Sequence, residues 1–134
     1  MTRWLIAMMT MLAWCTAAAA QGRTVRIVQT NSLGDNIHLI DPATNKIVAE
    51  FKGSPANHGA AVAPDGSRFY FSSEADRTLD VFDGKTLALL KKIPLTGRPN
   101  NITISNDGRR VYVAITAPPG DVDVIDTGDR KSVV

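Results

Sequence analysis

Residues 64–73 read PDGSRFYFSS, and residues 106–115 read NDGRRVYVAI, 42 positions further on. Asp65-Gly66 returns as Asp107-Gly108, and Tyr70 as Tyr112, at that same spacing. Asp41, Asp83 and Asp126 stand 42 and 43 residues apart, and each closes a segment of one kind: NIHLID, TLDVFD and DVDVID. Several landmarks keeping one period mark a repeat architecture, which takes precedence over local propensity.

Each repeat reads as short strands. AAVA (60–63) and NITIS (101–105) lead into Asp-Gly, a two-residue hairpin signal. RFYFSS and RVYVAI follow, rich in aromatic and β-branched residues. TLDVFD and DVDVID alternate apolar and polar residues, and LALLKKI, bounded by DGKT and Pro94, is too short for a convincing helix. Four strands in about 42 residues make one β-propeller blade. The expected fold is therefore all-β: four-stranded antiparallel blades over about 24–58, 59–100 and 101–134. That is about two and a half blades of an incomplete propeller.

The slot after the Asp-Gly turn reads Tyr70-Phe71-Ser72-Ser73, then Tyr112-Val113-Ala114-Ile115, with Val28-Gln29-Thr30-Asn31 before them. This resembles the YVTN β-propeller repeat family, named for Tyr-Val-Thr-Asn at that slot. The match covers residues 24–134; no copy carries all four letters, and Val28 stands where Tyr is expected. The resemblance implies a periplasmic or surface scaffold. Similar propellers also include lactonase-like hydrolases, the haem d1 domain of nitrite reductases and quinoprotein dehydrogenase subunits. Haem or quinone is thus implied only if the full-length protein is of the redox type, and no cofactor is expected from this chain by itself.

Residues 1–22, MTRWLIAMMTMLAWCTAAAAQG, have the order of a secretory leader: Arg3, an apolar run Trp4–Trp14, then Ala17–Ala20. Cleavage is expected after Ala20, giving a periplasmic or secreted product with no membrane span. The single cysteine, Cys15, ends LAWC, which looks like a lipobox, but Trp14 fills a slot where such boxes carry a small residue. The rest, residues 21–134, holds no cysteine, so packing alone must stabilise it. A net charge of +2 argues against nucleic-acid binding as the main role. A propeller ring takes roughly four to eight blades, and KSVV (131–134) reads as a strand just begun. Further blades of a longer chain, or oligomerisation, would complete the ring.

In a propeller, the connections from one blade to the next gather on one face with the loops between second and third strands. That face is expected to carry 31–35, 53–59, 74–77, 97–101 and 116–120. Asn57, His58, Arg77, Arg98 and Asn100 are the candidate ligand contacts on it, for a small ligand or a protein partner. Related propellers often have His-Gly at the place of His58, and some use that histidine at a metal or haem. Arg77 and Arg98 are suited to holding an anion. His38 shares its slot with Asp80 and Asp123, and the alternation suggests a solvated strand face. Asp41, Asp83 and Asp126 read as turn residues bonding nearby backbone N–H groups. No nucleophile elbow, triad or phosphate loop is present, and no catalytic or metal-ligating residue is assigned.

Overall fold

The computed structural model describes residues 24–129 and 131–132. The leader, its cleavage point and Cys15 lie outside the described residues, as do Val133 and Val134 of KSVV. Among the described residues there are eleven strands in three antiparallel sheets and no helix. The first sheet, blade 1, holds β1 (Ile27–Thr30), β2 (Asn36–Asp41) and β3 (Lys46–Lys52). Blade 2 holds β4 (Asn57–Val62), β5 (Arg68–Ser73), β6 (Thr78–Asp83) and β7 (Leu89–Pro94). Blade 3 holds β8 (Pro99–Ile104), β9 (Arg110–Ile115), β10 (Asp121–Asp126) and β11 (Lys131–Ser132). In every blade, strands adjacent in sequence are adjacent in space. These are propeller blades.

The repeat seen in sequence reappears bond for bond. Ala63 N–H donates to the Arg68 carbonyl, and Ser105 N–H to that of Arg110; Gly66 N–H donates to Ala63, and Gly108 to Ser105. Gly66 and Gly108 share φ +72°, a left-handed backbone that glycine adopts without steric cost. These bonds close four-residue loops, 64–67 and 106–109, rather than the two-residue turns that Asp-Gly suggests. The aspartate earns its place by accepting the N–H two residues on: Asp65 from Ser67, Asp107 from Arg109. The three period-marking aspartates act in the same manner, as expected, accepting from Ala43, Lys85 and Gly128.

Blade 1 has three described strands. In register, Gln29 faces His38 across β1 and β2, as Phe71 faces Asp80 across β5 and β6. So β1 takes the second place in its blade, and no described strand takes the first. The innermost strands of blades 2 and 3, β4 and β8, run against each other. Gly59 permits this contact: a Cβ there would lie 2.7 Å from Ile102 N and 2.8 Å from the Asn100 carbonyl oxygen.

Two apolar clusters fill the gaps between blades. Phe51 and Ile37 of blade 1 pack on Phe71 and Phe82 of blade 2, with Val28, Leu39 and Phe69 alongside. Tyr70, Leu79, Val81 and Ile93 of blade 2 pack on Val111, Val113 and Ile125 of blade 3. Successive side chains of a strand point to opposite faces, so β5 sends Phe69 and Phe71 one way and Tyr70 the other. Both faces of blade 2 are therefore buried by its neighbours. Hydroxyls add a polar lock: Thr30 Oγ1 donates to the His58 carbonyl at 3.0 Å, and Ser72 Oγ to the Asn100 carbonyl at 2.5 Å.

Candidate functional site

One face of the blades carries the segments 53–56 and 95–98 between blades together with the loops 31–35, 74–77 and 116–120. Backbone bonds tie these together in a repeating way. Glu74 N–H donates to the Ala56 carbonyl, and Thr116 N–H donates to that of Arg98. Ala56 N–H reaches Gly34, and Leu95 N–H reaches Arg77. The face is a braced surface, which holds its side chains in fixed positions.

Three side chains meet on it. His58 Nε2 lies 2.5 Å from Glu74 Oε2, while Arg98 Nη2 pairs with Glu74 Oε1. The Glu74 side chain is mostly covered, at 13% exposed, whereas that of Arg98 is 65% exposed. The carboxylate thus orients an imidazole and a guanidinium from different elements: β4, the 74–77 loop and the link into blade 3. Sequence reasoning named His58 and Arg98 separately and passed over Glu74. The only available signal was Glu74's position at the head of a loop on this face.

Arg77 stands nearby with φ +55°, a backbone uncommon for a residue with a side chain. With Thr96, Gly97, Arg98, Thr116 and Pro118 it lines a cleft of about 380 Å³ between blades 2 and 3. The Thr96 hydroxyl is engaged by Asp123 and that of Thr116 by the Arg98 carbonyl. Arg77 and Arg98 are the charged side chains that line it.

Asn57 and Asn100 have other surroundings. Both are strand residues, because β4 opens at Asn57 and β8 at Pro99, earlier than the sequence suggests. His58 likewise lies on β4 and not ahead of it. A register shift in β4 after Asn57, and in β8 after Pro99, hides the strand starts from a pattern search. Asn57 is fully buried: its Oδ1 accepts from Asn31 N–H, and its Nδ2 donates to the Ser54 and Asn36 carbonyls. It braces blade 1 against blade 2 and is closed to ligand. Asn100 contributes its carbonyl to the Ser72 lock.

The slot shared by His38, Asp80 and Asp123 overturns the expectation of a solvated face. Asp80 is 0% exposed and Asp123 2%. The reason is stacking: the Asp80 side of blade 2 faces blade 1 and the Asp123 side of blade 3 faces blade 2, so alternation does not mean exposure. Asp80 accepts from Thr78 Oγ1 at 2.6 Å and from Lys92 Nζ at 2.8 Å, and Lys92 also reaches the Gly53 carbonyl at 2.7 Å and Asp76. Asp123 accepts from the N–H and hydroxyl of Thr96. Each carboxylate thus anchors the segment that enters its blade. His38 has Asn36 and Glu50 beside it.

Burial pulls the Lys92 ammonium pKa down, but hydrogen bonds to Asp80 and Asp76, with their charges, outweigh it and hold the pKa above the ordinary 10.5. A raised folded pKa contributes stability that is complete below the unfolded value and fades as pH climbs through the folded one. Thermal melts should therefore show stability falling as pH rises above 10.5, with a shallower fall in Asp80→Asn. Parallel curves for the two proteins would rule out this anchor.

The opposite face carries the turn carboxylates. Asp83 is held below the usual carboxylate range by the backbone N–H groups of Thr86 and Lys85, and Asp107 by the Ser105 hydroxyl and Arg109 N–H. Their bonds are spent on chain reversal. Among the described residues, no three or more His, Cys, Asp or Glu side chains are grouped to hold a metal, and no helix is long and apolar enough to cross a membrane.

Neither a family model nor any curated protein matches this sequence. Solved structures do. The chain is similar to hydrazine synthase of Kuenenia stuttgartiensis, with TM-score 0.76 and 29% identity over 81% of this chain and 31% of that one. It is also similar to the dihydro-haem d1 dehydrogenase NirN in complex with DHE, with TM-score 0.68 and 26% identity over 83% of this chain and 24% of that one. The chain thus spans about a third or less of the length of either neighbour. Fold, strand order and neighbours agree: residues 24–129 and 131–132 form blades of a β-propeller.

Proposed function

We propose that this chain supplies blades of a secreted or periplasmic propeller of the YVTN type, exported by cleavage after Ala20, and that it works as a binding module for an anionic ligand. The observation that carries this reading is the grouping of His58, Glu74 and Arg98 beside the cleft that Arg77 shares. An imidazole and one guanidinium pair with the Glu74 carboxylate, and a second guanidinium, that of Arg77, lines the cleft with Arg98. Arg98 is oriented by Glu74 yet largely exposed, so its free N–H groups can meet a carboxylate or phosphate in two-point fashion. A side chain already held in place loses less freedom on binding.

Amide NMR titration of the chain with inorganic phosphate, and separately with succinate, tests this. The expected result is shifts confined to residues 74–77 and 96–98, lost in Arg98→Ala and weakened in Arg77→Ala. Shifts that persist in both variants, or none near the cleft, contradict the reading.

A second reading, an enzymatic or redox propeller, is favoured by what the two structural neighbours are named for. Of this chain's residues, His58 is the imidazole on the relevant face, and its Nε2 is already engaged by Glu74. A haem or metal there would draw its remaining ligands from outside the described residues. A visible absorption band that accompanies a longer polypeptide carrying these blades, and is lost in His58→Ala, would favour this reading over simple anion binding.

A further inference from the structure

Glu74 is a single carboxylate shared between two nitrogen groups of different character. Its Oε2 meets His58 Nε2 at 2.5 Å, and its Oε1 meets Arg98 Nη2. A guanidinium keeps its charge at every ordinary pH, whereas an imidazole gains or loses its charge between about pH 5 and 8. The His58 side chain is 33% exposed, so protons reach it from solvent. With His58 neutral, the Glu74 charge is matched by Arg98, and the three side chains together are neutral. With His58 protonated, they carry one net positive charge beside the cleft that Arg98 and Arg77 line.

The elements around the imidazole leave Glu74 as its charged contact. The strands packed against β4 are β1, β5 and β8. No charged residue lies on β1 or β8, and Arg68 of β5 pairs with Asp83 on the opposite face. Thr30 of β1 meets the His58 backbone carbonyl and not the ring. The loops of this face add Asp35, Asp76 and Arg77. Of these, Asp76 is paired with Lys92, and Arg77 lines the cleft.

We propose that anion uptake at the Arg77–Arg98 cleft is coupled to protonation of His58, so that the anion binds more tightly as pH falls; this rests on the anion-binding reading above. His58 acts here as a positioning residue, through Glu74. Once protonated, it draws on the carboxylate that otherwise offsets Arg98, and the guanidinium is freer to meet an incoming negative charge. Coupling between two sites is reciprocal. A bound anion therefore favours the protonated imidazole, and binding takes up protons from solution.

Sulfate is the probe, because it stays dianionic across this range while phosphate does not. Amide NMR titrations of the chain at about pH 5.5 and about pH 8 should show sulfate binding about fivefold tighter at the lower value. His58→Gln keeps a hydrogen-bond donor toward Glu74 and removes the titrating charge, so it should flatten the pH profile. In the unaltered chain, saturating sulfate should move the midpoint of the His58 imidazole titration to higher pH. His38, beside Glu50 on blade 1, is the internal control and should keep its midpoint. This readout needs no variant, so it stands even where a substitution disturbs folding. Sulfate shifts at 74–77 and 96–98 with equal affinity at both pH values overturn the coupling and leave the anion-binding reading in place. A pH profile that persists in His58→Gln, or a His58 midpoint indifferent to sulfate, overturns the coupling as well. Absence of sulfate shifts at either pH overturns both.

Discussion

Phe51→Ala should leave the chain largely unfolded at ambient temperature. Phe51 is fully buried at the join of blades 1 and 2. Its ring centroid lies 4.9, 5.1 and 5.3 Å from those of Phe69, Phe71 and Phe82. Removing a buried phenylalanine side chain costs about 3–5 kcal/mol, and aromatic pairs at such spacings add about 0.5–1.5 kcal/mol each beyond area. A domain has only about 5–15 kcal/mol of total stability. Three of the four rings belong to blade 2, so the loss also detaches the three-stranded blade, which has the fewest other contacts. Urea denaturation measures the effect. Phe51→Leu, which keeps most of the volume, should recover much of the loss. A midpoint for Phe51→Ala within error of the parent protein would mean that the aromatic cluster does not hold the blades together.

Gly59→Val is expected to cost about 3 kcal/mol or more, through a different mechanism. The new Cβ would meet the backbone of β8 at 2.7 and 2.8 Å. Backbone inside a sheet cannot swing aside as the end of a side chain can, so relief requires blades 2 and 3 to separate along their inner strands. Gly66→Ala is the informative comparison. Nothing lies within 4 Å of a Cβ at Gly66, and its φ of +72° is the whole obstacle. That conformational penalty is about 1–2 kcal/mol. Calorimetry of the two variants should therefore rank Gly59→Val as much the more damaging. Equal effects would place β4 and β8 further apart than the fold requires.

The fold was legible because the physics behind it is periodic. Landmarks 42 residues apart became equivalent turns with equivalent bonds, and each aspartate at a period mark caps its turn. LALLKKI, too short for a convincing helix, supplies most of strand β7 (Leu89–Pro94). What stayed hidden depends on packing between repeats. Asp80 and Asp123 alternate with apolar neighbours as solvent-facing residues do, and only the stacking of blades shows that their side is closed. Asn57 falls in the stretch 53–59 that the repeat pattern assigns to the loop face; the strand begins earlier, and the amide is engaged by three backbone partners. That β1 takes the second place in blade 1 is not legible from Val28-Gln29-Thr30 alone, since the same pattern fits any strand of a blade. At the candidate site, sequence gave the cations and not their organiser. Glu74 acquires meaning only when β4 and the 95–98 link bring His58 and Arg98 to it from either side.

The central claim is that like sheets stand side by side, joined at their inner strands and through paired apolar sides. Nuclear Overhauser contacts in solution test it most directly. The account predicts cross-peaks between Gly59 and the amide of Ile102, and between the rings of Phe51 and Phe71, whose centroids are 5.1 Å apart. Intact hairpin contacts within each sheet, with both of these cross-blade signals absent, would contradict it.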